Sequence, residues 1–417
     1  MLQWKTSGAI AKVLEENLAN TKEEQVDWIK KPREYRRMKI LYVLKTNEGA
    51  RWAYRQAEWI VNNMPGFEFV AVMPSDSTGF ALEYKALGCK VIGLDMSLPV
   101  RKPQSFFALK RKIKDIIEQE KPDLIHSHFV TTTLMLRLSL GNGGPKRIFQ
   151  VPGPLHLESP FFRLVDKYTI RKNDYLVGAC KWTTNEYLKL GVPKDRVFLN
   201  YYGGPDQGVF NSTWRLHEEY NIDRKTPIVG MVSYFYAPKK YLLQFTGLKG
   251  HEDFIDAMAI VRKKIPEAKA IIVGSAWGKA KAYEEKVHSY AEKKCPDGII
   301  FTGLRTDVLE IYHEFTVAVH PSHSENVGGA GESLGQIVPT VSTNVGGFPD
   351  IVIDGVTGWT VDKKSPEQLA EKIIWMIKNP EKAKEMAERG HDMCLEKFEI
   401  SVTAGHMAKI YNTIIKS

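Results

Sequence analysis

The chain has 417 residues, long for one domain and ample for two, and its 43% hydrophobic and 26% charged residues are the balance of a globular protein. That excludes a disordered chain, a collagen-like fibre and a small disulfide scaffold, and no apolar run approaches the length of a membrane span. The net charge of +9 is lopsided: residues 1–200 hold 32 Lys and Arg against 21 Asp and Glu, residues 201–417 hold 26 against 28. An anionic partner is therefore expected at the N-terminal half.

Residues 1–37 read as an extension, a helical pattern that runs into the basic KKPREYRR where Pro32 interrupts it. The start lacks the apolar core of a signal peptide. The four scattered cysteines form no CxxC pair and read as reduced thiols in a cytosolic protein. From Lys39 short apolar runs alternate with helical patterns. Strands are expected at 39–44, 67–72, 90–94, 123–126, 147–151 and 175–178, with helices at 52–62 and 105–119. The rhythm restarts after residue 225, with strands at 227–232, 270–273, 298–301, 317–320 and 339–343. Helices are expected at 251–264, 280–294, 306–314 and 364–377. Such alternation predicts an α/β fold of two doubly wound parallel-sheet domains, with a ligand cleft between them at the carboxyl ends of the strands.

The segment Pro321-Ser-His-Ser-Glu-Asn-Val-Gly-Gly-Ala-Gly-Glu-Ser333 follows a buried strand and precedes a helical stretch, 332–337. Its glycines 328, 329 and 331 leave amides uncovered at a helix start, where free N–H groups and the helix dipole favour phosphate. Glu325 and Glu332 flank that point. Carboxylates accept hydrogen bonds from paired sugar hydroxyls, so the pair suits a nucleotide sugar; a flexible glycine-rich turn is the plainer alternative. A second feature is Arg101–Lys114, six basic residues without an acid, beside Phe106, Phe107, Leu109 and Ile113. Its charges suit an anionic membrane surface, while its apolar stripe suits packing on the sheet. No RRM, KH or zinc pattern supports nucleic-acid binding.

Past the glycine loop the chain continues IVPTVSTNVGGFPDIV to Val352 and then Asp354-Gly-Val-Thr-Gly358. This string resembles the GT4 family of retaining glycosyltransferases: a PS…E loop, a second Glu, a turn, T-x-V-G-G-x-P-D, and a DG…G hairpin. The loop has the SENxGGAxES wording, with six residues between its glutamates rather than seven. The resemblance, over roughly 38–417, implies the GT-B fold, two Rossmann-like domains facing across a cleft. Residues 38–210 would form the acceptor-side domain and 211–398 the nucleotide-sugar domain. Residues 399–417 would be a helix returning to the first domain.

By the same resemblance Glu325 faces the donor sugar, Glu332 the ribose, and the amides of Asn326, Val327, Gly328 and Gly329 the sugar and diphosphate. Lys249, in a KG pair, meets the diphosphate. The family's Arg is replaced by Tyr234, and Lys239 or Lys240 in the following insertion is a candidate substitute, against a solvated basic loop. Gly274 and Leu304 lie in strand-end turns around the nucleotide. Gly49 and Ala50 match the glycine loop after the first strand, and His128 ends the DLIHSH strand. His156 is expected to act near the sugar or acceptor in place of the family's usual HG histidine; a surface histidine is the alternative. Asp206–Phe210 matches a D-x-x-x-F before the domain connection.

The implied reaction moves a sugar from a nucleotide-diphosphate sugar to a hydroxyl of a glycan or glycolipid, as in surface polysaccharide synthesis, with Glu325, Lys249 and His156 as its catalytic residues. No obligatory metal is expected. The expected place is the cytoplasm, peripheral on the inner face of the plasma membrane. An epimerase of the same fold and a non-catalytic nucleotide-sugar-binding subunit remain alternatives.

Overall fold

The computed structural model describes residues 37–151, 153–204, 212–239 and 244–417. The extension up to residue 36, the Asp206–Phe210 motif and Lys240 lie outside the described residues.

Two parallel sheets organise the chain. The first has seven strands: β1 (Met38–Val43), β2 (Phe67–Met73), β3 (Lys90–Gly93), β4 (Leu124–Ser127), β5 (Lys146–Val151), β6 (Asp174–Gly178) and β7 (Val197–Leu199), in the order β3-β2-β1-β4-β5-β6-β7. The second has six: β8 (Ile228–Val232), β9 (Lys269–Val273), β10 (Ile299–Gly303), β11 (Val317–His320), β12 (Thr340–Thr343) and β13 (Trp359–Val361), ordered β10-β9-β8-β11-β12-β13. Every registered pair in both sheets is parallel. Each order reverses beside its first strand, which opens a crevice at the carboxyl ends between β1 and β4 and between β8 and β11. Buried apolar runs make these strands: Ile40–Val43 are wholly buried, as are Val70–Met73 and Val317–Val319, because helices cover both faces.

The eleven expected strands are present. Three-residue β7 and β13 are too short to leave a periodic signal. Helix Val130–Leu140 was not expected, because it is buried almost all round and so shows no amphipathic stripe. The glycine-loop helix starts earlier than its sequence suggests, spanning Gly328–Gly335 rather than beginning at Glu332. Glycine disfavours helix. Here Val327, Ala330 and Leu334, spaced by three and four, bury against Phe348, Ile351 and Cys394, and that packing outweighs propensity.

Helix Ile400–Lys416 packs against helix Arg51–Asn63 of the first lobe. Tyr411 Oη lies 2.7 Å from His126 Nδ1, and Lys146 Nζ donates to the Ile414 carbonyl at 2.7 Å. The lobes also meet through Asp350, the acid of the GGFPD turn. Its Oδ2 accepts from Lys181 N–H at 2.7 Å and from the Tyr201 hydroxyl at 3.0 Å. Lys181 opens helix Lys181–Lys189, so a carboxylate of one lobe caps a helix of the other.

Candidate active site

The cleft between the lobes has a volume of about 780 Å³. Its floor is the carboxyl ends of β8, β9 and β11 with the loops that follow, and its opposite wall is the first turn of helix Arg51–Asn63. Lys249, Gly274, Leu304, Glu325, Asn326, Val327, Gly328, Gly329 and Glu332 all line it. The structure therefore gathers nine of the residues singled out in the sequence into one cavity.

Glu325 and Lys249 form an ion pair. Burial alone would lower the Lys249 pKa, but Glu325 outweighs it and the pKa is raised, so the ammonium stays charged. Asn326 N–H donates to Glu325 Oε1 at 3.1 Å. The first helical bond of the glycine helix runs from Gly331 N–H to the Val327 carbonyl, 2.9 Å. The amides of Gly328 and Gly329 precede that bond and face the cleft end of the helix, a ready anion site. Gly346 holds the loop in place. Its φ is +53°, and a Cβ there would lie 1.9 Å from the Glu325 carbonyl oxygen. Only glycine allows this close approach.

Glu332 sits deeper. Burial pushes its pKa up to about 7; Arg55 and Lys249 pull against that shift and Glu325 adds to it. A carboxylate raised in the fold contributes stability below its ordinary range and loses it as pH rises through about 7. Hydroxyl recognition runs the other way, because the ionised group accepts at both oxygens whereas protonation turns one of them into a donor. Donor affinity, measured by calorimetry, is therefore expected to fall as pH drops from roughly 8 to roughly 6, and Glu332→Gln to flatten that profile.

Four expected residues, His156, Gly49, Ala50 and His128, do not line the cleft. His156 is the main correction. Its ring is buried, with Nε2 3.0 Å from Tyr187 Oη and 3.3 Å from Asp166 Oδ2. Asp166 pairs in turn with the buried Arg137, so the imidazole is held inward by a buried carboxylate instead of facing a ligand. Its neighbour Pro154 does reach the second lobe, packing on Gly346. Gly49 abuts Trp277 of the second lobe, where a side chain would come within 3.1 Å of the indole. Ala50 is buried at the cap of helix Arg51–Asn63. His128, at the end of β4, is also buried; its Nδ1 lies 2.9 Å from the Tyr202 hydroxyl, and burial beside His126 holds it neutral.

The position expected for a family Arg holds an aromatic cluster. Tyr234 packs on Trp277 with centroids 5.0 Å apart, and Tyr236 lies under the Lys249 ammonium at 5.8 Å. Lys239 does not line the cleft. Cations that sequence reasoning missed do line it: Arg51, Arg55 and Arg305. Arg305 is committed to Asp307 and Glu219, and Arg51 reaches Glu83 at 3.9 Å. For Arg55 the described residues offer no carboxylate at salt-bridge distance, though Glu332 feels its charge. The spacing of Arg51 and Arg55, one helical turn apart on the helix after the first strand, was the available signal. Among the described residues no cluster of His, Cys, Asp or Glu is arranged to hold a metal ion.

Residues 214–393 match the family described as glycosyl transferases group 1, and residues 49–203 match the glycosyl transferase 4-like domain. An uncharacterized glycosyltransferase of Methanocaldococcus jannaschii is 28% identical over 313 residues, 72% of this chain and 78% of its own. A GDP-mannose-dependent alpha-(1-6)-phosphatidylinositol monomannoside mannosyltransferase of Mycolicibacterium smegmatis is 24% identical over 54% of this chain and 55% of its own. Among solved structures, Anabaena HepE in complex with UDP-glucose superposes with a TM-score of 0.74 at 16% identity, covering 90% of this chain and all of that one. With the fold, the cleft and both halves of the sequence in agreement, the chain belongs to the GT4 family of glycosyltransferases, has the GT-B fold, and catalyses glycosyl transfer.

Proposed function

We propose that the protein is a retaining glycosyltransferase that extends a glycan or glycolipid acceptor in surface polysaccharide or glycolipid synthesis. The observation that carries this reading is the single cleft shared by Lys249, Glu325, Glu332 and the open amides of Gly328 and Gly329. In it residues 211–398 hold the donor, residues 38–210 receive the acceptor, and residues 399–417 tie the lobes together. The likeness to a mannosyltransferase named for a phosphatidylinositol monomannoside supports a lipid-linked acceptor. The basic segment 101–114 supports work at an anionic membrane surface. On helix Phe106–Glu120 Ile113 is buried and Phe106 and Leu109 pack on the core, which leaves the cations outside.

The chemistry follows from the charges. The bond from the sugar's anomeric carbon to the β-phosphate oxygen breaks, and its electron pair stays on the phosphate. The acceptor oxygen bonds to the same face of that carbon, and its proton passes to the departing phosphate oxygen. Lys249, Arg55 and the two glycine amides lie where they stabilise the growing diphosphate charge, in a cleft where low polarity strengthens each interaction. Glu325 positions the sugar hydroxyls and Glu332 the ribose. His156 acts as a positioning residue behind the loop that touches Gly346. Water is excluded when donor fills the space between the lobes, which limits hydrolysis.

A melting screen of UDP-, GDP- and ADP-sugars tests the donor site. At a hundredfold excess over Kd the matching donor stabilises the fold by about 2.7 kcal/mol. Arg55→Ala should keep the wild-type melting point without donor and weaken donor binding by roughly tenfold, the loss of one charge-assisted contact. No shift with any nucleotide sugar would defeat the reading.

A further inference from the structure

The first lobe carries an apolar face that glycosyl transfer leaves unused. Helix Pro160–Thr169 follows the loop whose Pro154 abuts Gly346. Its inner side buries Asp166, ion-paired with Arg137. On its outer side Phe161, Leu164 and Tyr168 are 66%, 53% and 69% exposed. They recur at the three- and four-residue spacing of a single helix face. Three large apolar side chains side by side in water mark an interaction surface.

The charged residues flanking this stripe are mostly basic. Arg163, Lys167, Arg171 and Lys172 flank it, with Arg163 paired to Glu186 of the neighbouring helix at 3.0 Å, while Asp166, the one acid between Ser159 and Asn173, is buried against Arg137 and the exposed Glu158 lies just before the helix. Helix Val130–Leu140 packs against this helix and also against helix Phe106–Glu120. Leu138 is exposed on that intervening helix, and Phe107, within the basic segment 101–114, and Val100, just before it, are 75% and 73% exposed. An apolar and aromatic stripe with cations on both sides complements an anionic bilayer. Acyl chains accept the stripe, headgroups accept the charges, and the Tyr168 hydroxyl can remain at the wet boundary.

We propose that helix Pro160–Thr169 is a membrane-insertion element, with Phe161, Leu164 and Tyr168 entering the headgroup–acyl boundary of an anionic membrane. The proposal rests on the reading of a lipid-linked acceptor and adds what the basic segment lacks. Charge attraction alone is screened by salt, whereas apolar burial is not. It also sets the orientation. The loop before the helix touches the Glu325–Gly346 region, so insertion brings the membrane beside the cleft, and a lipid-linked hydroxyl can approach Glu325 without leaving the bilayer.

The test is flotation of the full chain with phosphatidylcholine vesicles, with and without phosphatidylglycerol, at low and at high salt. Wild-type protein is expected to float with the anionic vesicles at low salt and to remain partly bound at high salt. The variant Phe161→Ser/Leu164→Ser/Tyr168→Ser should lose the salt-resistant fraction, with partitioning reduced on the order of tenfold or more. The variant Lys110→Glu/Arg111→Glu/Lys112→Glu should lose mainly the low-salt increment. All substituted side chains are solvent-exposed except Lys110, which is half-buried; a melt of each variant beside wild type checks that the fold is kept. A Leu164→Cys protein carrying an environment-sensitive dye should shift to the blue on anionic vesicles. Equal flotation of the serine variant and wild type, complete release of wild type by salt, or no dye shift would each overturn the proposal. So would a serine variant that changed only a monomer–dimer equilibrium. Donor-induced melting shifts are read separately; their absence would sink the transfer reading, whatever the vesicles show.

Discussion

Replacing Lys249 with alanine should lower kcat/KM for sugar transfer by about 10²- to 10³-fold, the usual effect of removing one preorganised stabiliser of developing negative charge. The reasoning starts from the ion pair. Lys249 is held against Glu325 within the cleft, and Tyr236 lies beneath it. In the proposed role its charge would be fixed in position before the donor arrives and would need no reorganisation as the diphosphate departs. The alanine variant also leaves Glu325 partly buried without its partner, which weakens donor positioning. Lys249→Arg keeps the charge and should recover part of the rate; its planar fork cannot reproduce a compact ammonium. The pair makes a further demand. In a double-mutant cycle with Glu325→Ala the two losses should not add, because each single change already disables the shared unit. Additive losses would separate the two residues and remove the argument from the pair.

Replacing Arg137 with alanine should destabilise the protein by about 3–5 kcal/mol while leaving the cleft residues in place. Arg137 is 1% exposed. Its Nη1 meets Asp166, its Nε lies 3.1 Å from Asp174, and Asp174 also accepts from Arg147 Nε at 2.6 Å. Burial works against the charge of both Arg137 and Asp166, yet their mutual attraction wins, with Arg137 raised and Asp166 lowered. Removing the arginine leaves Asp166 buried without its arginine partner, while Asp174 keeps Arg147. Thermal melts should show the apparent Tm lower by roughly 10 °C. His156 reports on the same cluster. His156→Ala should reduce the melting temperature and, through the Pro154 loop, the rate by a small factor. A fall in kcat as large as that of Lys249→Ala, with unchanged melting, would return His156 to direct contact with the substrate.

Much of the molecule was legible because its parallel strands are continuous buried runs. Ile40–Val43 and Val317–Val319 can be read without any partner in view, since burial on both faces leaves no polar positions. The candidate site on the second lobe was legible for another reason. Backbone amides and paired carboxylates must come from contiguous residues, and the loop from Pro321 to Ser333 carries both. Lys249 was recognisable from its KG setting. The first-lobe wall of the cleft was far less so. His156 and Arg55 are both first-lobe polar residues, and only the packed structure separates a histidine drawn inward by Asp166 from an arginine that lines the cleft, where Glu332 feels its charge.

The sequence by itself determined the alternation of strands and helices, the two-lobed architecture and the chemistry of the glycine loop, because these depend on neighbours within a few residues. Tertiary structure alone decided the start of the helix at Gly328, the cap that Asp350 places on a helix of the other lobe, the aromatic cluster in place of a family arginine, and the first-lobe cation that faces the site. Each of these depends on a contact between residues far apart in the chain, with a free energy set by burial and shared charge that no local pattern records.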